Sequence, residues 1–146
     1  MPSANDAELT ELYTSGTDEV VEDNEPNTGE VADPPATTFD LHLQAVAGDN
    51  IGSSGANYTL QIQCIDETLA EPADASMSPG TLLQAFDNAA GNDWVKVGTN
   101  FVKEQKFNIP VPTSGVRGHV FRYVASLVSD NNDQVSFIKS NKFILV

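Results

Sequence analysis

Few side chains in this sequence are of a type and spacing that could do chemistry. His42 and His119 are its two histidines and Cys64 its one cysteine. Nucleophilic catalysis needs a nucleophile, a base and an orienting group within reach of one another, and neither histidine lies in a motif such as G-x-S-x-G. The alternation around them turns His42 outward and Cys64 toward the core, where a lone thiol behaves as a small hydrophobe. One cysteine and two distant histidines miss every usual zinc spacing, and phosphate-loop and dinucleotide glycines are absent. The reading is a non-enzymatic protein that needs no cofactor.

Two ligand chemistries remain as alternatives. Hard cations want several carboxylate and carbonyl oxygens converging from loops. If the loops after the second and the next-to-last strands share one end of the fold, Asp66, Glu67, Asp130 and Asp133 meet there as weak calcium candidates. Carbohydrate binding needs an exposed aromatic over a polar groove, and Trp94, preceded by Asn92 and Asp93, is the candidate platform, set against the tendency of large aromatics to be buried. A carbohydrate-binding or calcium-linked adhesion module is therefore the second reading of function.

The element that must position everything else is the stretch from His119 to Ser129. Phe121, Tyr123, Ala125 and Leu127 alternate with Val120, Val124 and Val128, and both sets are apolar, as in a strand buried on both faces. Around it run other period-two segments: Phe39 to Ala47, Tyr58 to Cys64, Thr81 to Phe86, Trp94 to Val97, Lys106 to Pro112 and Gln134 to Val146. The Asp, Asn and Gly cluster between Phe86 and Trp94 predicts a hairpin-like turn, and Lys139-Ser140-Asn141 interrupts the last strand as a bulge or crossing would. About seven strands in about 110 residues predict an all-β, immunoglobulin-like antiparallel sandwich. Phe121, Tyr123, Ala125 and Ser129, a hairpin, and then Ser140-Asn141-Lys142-Phe143 resemble the last two strands of fibronectin type III and related domains. That resemblance implies an adhesion, scaffold or ligand-presenting module.

Residues 1–36 differ in composition, with ten acids, no base and four prolines. Such a stretch has too little apolar surface to offset its ordering entropy, which predicts an extended acidic arm, flexible or docked on a partner, ahead of a sandwich domain at 37–146. Within the arm, Ser3 or Asn5 could cap a short helix whose Leu9, Leu12 and Tyr13 share a face, a partner-docking stripe. Lys96, Lys103, Lys106, Arg117, Arg122, Lys139 and Lys142 make up the whole basic complement and all follow residue 95, whereas eighteen of the twenty-one acids precede it. The basic second half reads as a face that could receive the arm.

A net charge of −14 argues against nucleic-acid binding, which needs clustered cations. The start lacks the basic and apolar regions of a signal peptide, and no run of eighteen apolar residues occurs. The expectation is no membrane insertion, with residence in the cytoplasm or in a particle assembled there. Function is then read as structural or interactive, through subunit assembly in a coat, filament or multi-protein machine, with a homo-oligomer as partner.

Overall fold

The structure, a computed structural model, describes residues 5–28, 35–131 and 134–146. Ser3, Asp33, Pro34 and Asp133 lie outside the described residues. The described chain is all-β, with two antiparallel sheets and a single 3-10 turn at Ala75–Met77. Its strands are β1 (Ala7–Ser15), β2 (Thr38–Ala47), β3 (Asn57–Asp66), β4 (Glu71–Pro72), β5 (Gly80–Ala85), β6 (Trp94–Val97), β7 (Asn100–Pro110), β8 (Phe121–Ser129) and β9 (Val135–Lys139). One sheet has the order β1-β2-β7-β6. In the other, β4 and β5 flank β3 on one side, and β8 followed by β9 lie on the other.

Alternation explains the interior. Phe39, Leu41, Leu43, Ala45 and Ala47 of β2 face Tyr58, Leu60, Ile62 and Cys64 of β3 and Phe121, Tyr123, Ala125 and Leu127 of β8, all buried. Period-two side chains put one set on the core face, and two such faces packed together make a sandwich. The core carries two aromatic groups. Phe143 stacks on Tyr123 at 5.6 Å and packs against Phe39 and Phe121, while Tyr58, Phe86 and Trp94 form the other, with the Trp94 indole N–H donating to the Tyr58 hydroxyl at 3.0 Å. Phe143 pairs with Phe121 through an isolated bridge beyond β9, so Ser140 to Lys142 does interrupt the last strand.

The segment expected to be an arm is part of the sandwich. Ala7, Leu9 and Leu12 are buried, and β1 pairs antiparallel with β2 from Ala7↔Ala47 to Ser15↔Asp40. Its other edge meets β9 through side chains. The amides of Ala7, Leu9 and Thr14 donate to Gln134 Oε1, Ser136 Oγ and Asn141 Oδ1 at 2.8, 2.9 and 3.0 Å. The expected helix does not form, because a bulge between Leu9 and Glu11 shifts the phase of the strand and turns Leu12 inward. The chain beyond β1 also holds to the body: Asn27 bonds both the amide and the carbonyl of Val146, and Ile144 N–H donates to Asn24 O.

Two further expectations change. β5 and β6 do not form a hairpin with each other, since β5 pairs with β3 in one sheet and β6 with β7 in the other, so the loop between them crosses the sandwich. The strand expected at Lys106 begins six residues earlier, at Asn100.

Candidate functional site

The outer face of the five-stranded sheet is built by register. Leu83 of β5, Thr59 of β3, Val128 of β8 and Val135 of β9 stand in one row across it. The next row is Thr81, Gln61, Ser126 and Phe137; then come Gln63, Val124 and Lys139, and beyond them Ile65 and Arg122. Paired residues share a face, so all of these point away from the core. In a chain with twenty-one acids, no outward position of β3, β5, β8 or β9 is acidic. Leu83 is 83 % exposed, Phe137 74 % and Val135 51 %. The charge on this face is cationic and lies at one end, where Arg122 is 3.5 Å from Glu67 and Lys142 is 3.3 Å from the same carboxylate. The Arg122 atom in that contact is the buried Nε, which faces Glu67 Oε1 as an ion pair without forming a hydrogen bond. Away from that end the strands carry no charge, and Leu83, Val124, Val128, Val135 and Phe137 stand among threonine, glutamine and serine side chains, a surface suited to docking a protein.

The opposite outer face, on the four-stranded sheet, is polar. Glu11, Gln44 and Glu104 cross it in one row, and Tyr13, His42 and Lys106 in the next. They line a groove of about 450 Å³. Tyr13 and His42 stack at 4.6 Å, and the Tyr13 hydroxyl donates to Val20 O. Burial first, then the nearby Glu11 and Glu104, raise the Tyr13 phenol above its ordinary value. His42 Nε2 lies 2.8 Å from Ser15 Oγ, the distance of a catalytic pair, but it also lies 3.0 Å from the Glu19 carbonyl oxygen. A carbonyl only accepts, so Nε2 carries the proton and cannot take one from Ser15, whose hydroxyl is buried against the Gly16 and Glu19 carbonyls. The pair closes a loop and does not activate a nucleophile.

The other polar sites are also structural. Asp66, buried, accepts from His119 Nδ1 at 2.6 Å and from the Leu69 amide at 3.1 Å. Burial pushes its carboxyl up, and the His119 and Leu69 bonds outweigh that and leave it below the ordinary 3.8. Cys64 is buried, which pushes its thiol up to about 12 and leaves it without thiolate character at neutral pH.

No family model and no curated protein matches this chain. Among solved structures, the CooA pilin subunit from enterotoxigenic Escherichia coli resembles it over 93 % of this chain and 97 % of that one, with a TM-score of 0.45 and 8 % sequence identity. A likeness at that level carries no argument about function.

The candidate residues read from sequence fall in different places. Trp94 is no ligand platform: it is 1 % exposed in the core aromatic group. The calcium candidates do not converge. Asp66 ends β3, Glu67 follows it, and Asp130 bonds Asn57 at the other end, about 30 Å away at ~3.3 Å per residue, and no group of ligating side chains occurs among the described residues. Leu9 and Leu12 belong to the core of their own sandwich, and Tyr13 stacks on His42, so no docking stripe remains.

The cations form no single face either, because strand alternation distributes them. Lys103 points inward and is buried; Lys106 sits on the four-stranded sheet beside Asp18 and Asp40; Lys96 on β6 pairs with Asp49; Arg117 lies in the loop before β8. Arg122, Lys139 and Lys142 remain on the five-stranded side. Sequence reasoning did not single out Leu83, Val135 or Phe137. Their alternation was visible, but which strands stand beside which was not.

Proposed function

We propose that this chain is a non-enzymatic structural or interaction protein that works by assembling with other protein subunits, in a coat, filament or larger machine, through the outer face of its five-stranded sheet. The observation that carries the proposal is the acid-free surface centred on Leu83, Val135 and Phe137 of a molecule whose net charge is −14. β8 adds to it. Its outward set, with Val124 and Val128, is as apolar as a two-sided interior strand would need, yet in the single chain these residues are half-covered. The likeness of the last strands to fibronectin type III domains points the same way, toward a module that presents a surface.

Light scattering of the full chain over a range of concentrations tests this. Association is expected as concentration rises, and the double change Leu83→Lys, Phe137→Lys is expected to abolish it while leaving the β-type circular dichroism and the cooperative melt intact, since both side chains are exposed. A monomer at every concentration, or an assembly indifferent to the double change, overturns the proposal.

A further inference from the structure

We infer that the free edge of β5 takes up an extended basic segment of a partner protein as a further antiparallel strand, hydrogen-bonded through the main chain of Thr81 and Leu83. This contact lies on the edge of the five-stranded sheet and is separate from association through its face.

Hydrogen-bond parity sets the edge. Residues opposite each other in an antiparallel pair alternate between bonded and unbonded, and the register of β5 on β3 runs from Asn57↔Ala85 to Ile62↔Gly80. Phe86 N–H donates to Ala56 O just beyond that run, so Gln84, Leu82 and Gly80 bond Tyr58, Leu60 and Ile62, while Thr81, Leu83 and Ala85 turn their N–H and C=O groups the other way. At Ala85 the edge is closed, since its N–H donates to Asn92 Oδ1 at 3.2 Å and its carbonyl accepts from Asp87 N–H at 2.9 Å. At Thr81 and Leu83 no strand follows, because β5 pairs with β3 alone. Both residues are exposed, and β5 contains no charge and no proline.

The other edges are defended. β4 has two residues, one of them Pro72; β6 has four and carries Lys96; β1 and β9 turn toward each other, with β1 amides held by Gln134 and Ser136. Short length, proline, lysine and side-chain cover are the usual protections of a strand edge, and β5 has none of them. The free N–H and C=O groups of two alternate residues, with the Leu83 side chain 83 % exposed beside them, are the complement of one ligand chemistry, an extended polypeptide.

Charge selects which polypeptide. The chain from Asn57 to Val95, which runs from β3 to the start of β6, holds six acids and no Lys or Arg. Glu71 and Asp74 are exposed on the approach to Gly80. Asp87 stands beyond the other end of β5, where Asp130 lines a groove with Leu83 and Asn92. Of the cations on neighbouring elements, Lys103 is buried and Arg122 faces Glu67. A strand with lysine or arginine at its ends and β-branched residues between them meets acids at both ends and Leu83 in the middle. A second copy would bring a β5 with acids at both of its own ends, which disfavours it as the occupant.

Titration of the full, isotope-labelled chain with a seven-residue peptide of alternating valine and threonine, closed by a lysine at each end, tests the inference through the amide resonances of β5. Saturable shifts centred on Thr81 and Leu83 are expected. The same peptide with its central amides N-methylated is expected not to bind, and one closed by glutamates to bind about tenfold more weakly or worse. Thr81→Pro removes one offered N–H without touching the ladder to β3, and is expected to weaken binding about tenfold while leaving the cooperative melt in place. If that variant does not fold, the N-methylated peptide decides alone. No saturable shift at millimolar peptide, shifts centred elsewhere, or equal binding of the N-methylated or the glutamate peptide overturns the inference. So does a shift of the Thr81 and Leu83 amides with the concentration of the chain alone that Thr81→Pro abolishes, which would make the occupant a second copy.

Discussion

Lys103 shows how a single residue can mislead a pattern and yet hold the fold. Its side chain is 1 % exposed at an inward position of β7, and its ammonium donates to the Asn92 carbonyl at 2.7 Å and the Gly91 carbonyl at 3.2 Å, tying down the loop that crosses between the sheets. Burial lowers it from 10.5 to about 8, and the nearby Asp93 only partly offsets this. Below pH 8 both folded and unfolded chains carry the proton, and the cost of burying the charge is fully present. Between about 8 and 10.5 the unfolded chain alone retains it, so stability rises with pH across that window. Unfolding free energies from urea titrations at pH 7.5 and 9.5 are expected to differ by up to about 2 kcal/mol in favour of the higher pH, and Lys103→Met is expected to flatten the dependence. An equal rise in Lys103→Met would assign it to other groups. Asp66 has the opposite sign. Its folded value lies below the ordinary 3.8, so its contribution is present above that pH and is lost as pH falls through the folded value. Asp66→Asn is expected to cost about 1 kcal/mol or more at pH 6, with the difference fading as pH falls below the ordinary carboxylate value and through the lower folded one; a constant difference would mean that the carboxylate charge does not matter.

At the scale of elements, β2 and β3 were legible in the sequence because an unbroken apolar set recurs at every second residue, and β8 because both of its alternating sets are rich in apolar residues. β1 was not. Its bulge spaces Leu9, Leu12 and Tyr13 as i, i+3 and i+4, which imitates a helical face, and the acids around it suggested a solvated arm. The first half of β7 was hidden by Lys103, a charge at an inward position, and the apparent hairpin between β5 and β6 was a crossing, which local turn chemistry does not distinguish. The docking face was legible only as separate alternating residues, because the pairing that gathers Leu83, Val135 and Phe137 is non-local. The consequence for β1 can be measured. Deleting residues 1–16 exposes the β2 edge and leaves Gln134, Ser136 and Asn141 without the backbone amides they accept from, so loss of the cooperative melt is expected. Leu9→Ala is expected to destabilise by roughly 2 to 4 kcal/mol, as for a buried leucine. A truncated chain that melts as the full chain does would return residues 1–16 to the status of an arm.

For the whole molecule the decisive quantity is the contrast between total charge and the charge of one face. If assembly were driven by attraction between an acidic first half and a basic second half, added salt would weaken it, because exposed ion pairs are worth only about 0 to 1 kcal/mol each and are screened. The structure separates the cations, pairing Lys96, Lys106, Arg122 and Lys142 with acids of their own chain and burying Lys103, so that attraction has no face to act through. What remains between two copies is repulsion of −14 against −14 at long range and apolar contact at short range. Salt weakens the first and leaves the second nearly untouched. The screening length falls from about 30 Å at 0.01 M to about 8 Å at 0.15 M, less than the span of the face, so the proposed association is expected to tighten severalfold over that range of sodium chloride. Sedimentation equilibrium at 0.01, 0.05 and 0.15 M salt would measure it, and an association constant that falls steadily with salt would show that charge attraction, not the acid-free face, holds the copies together.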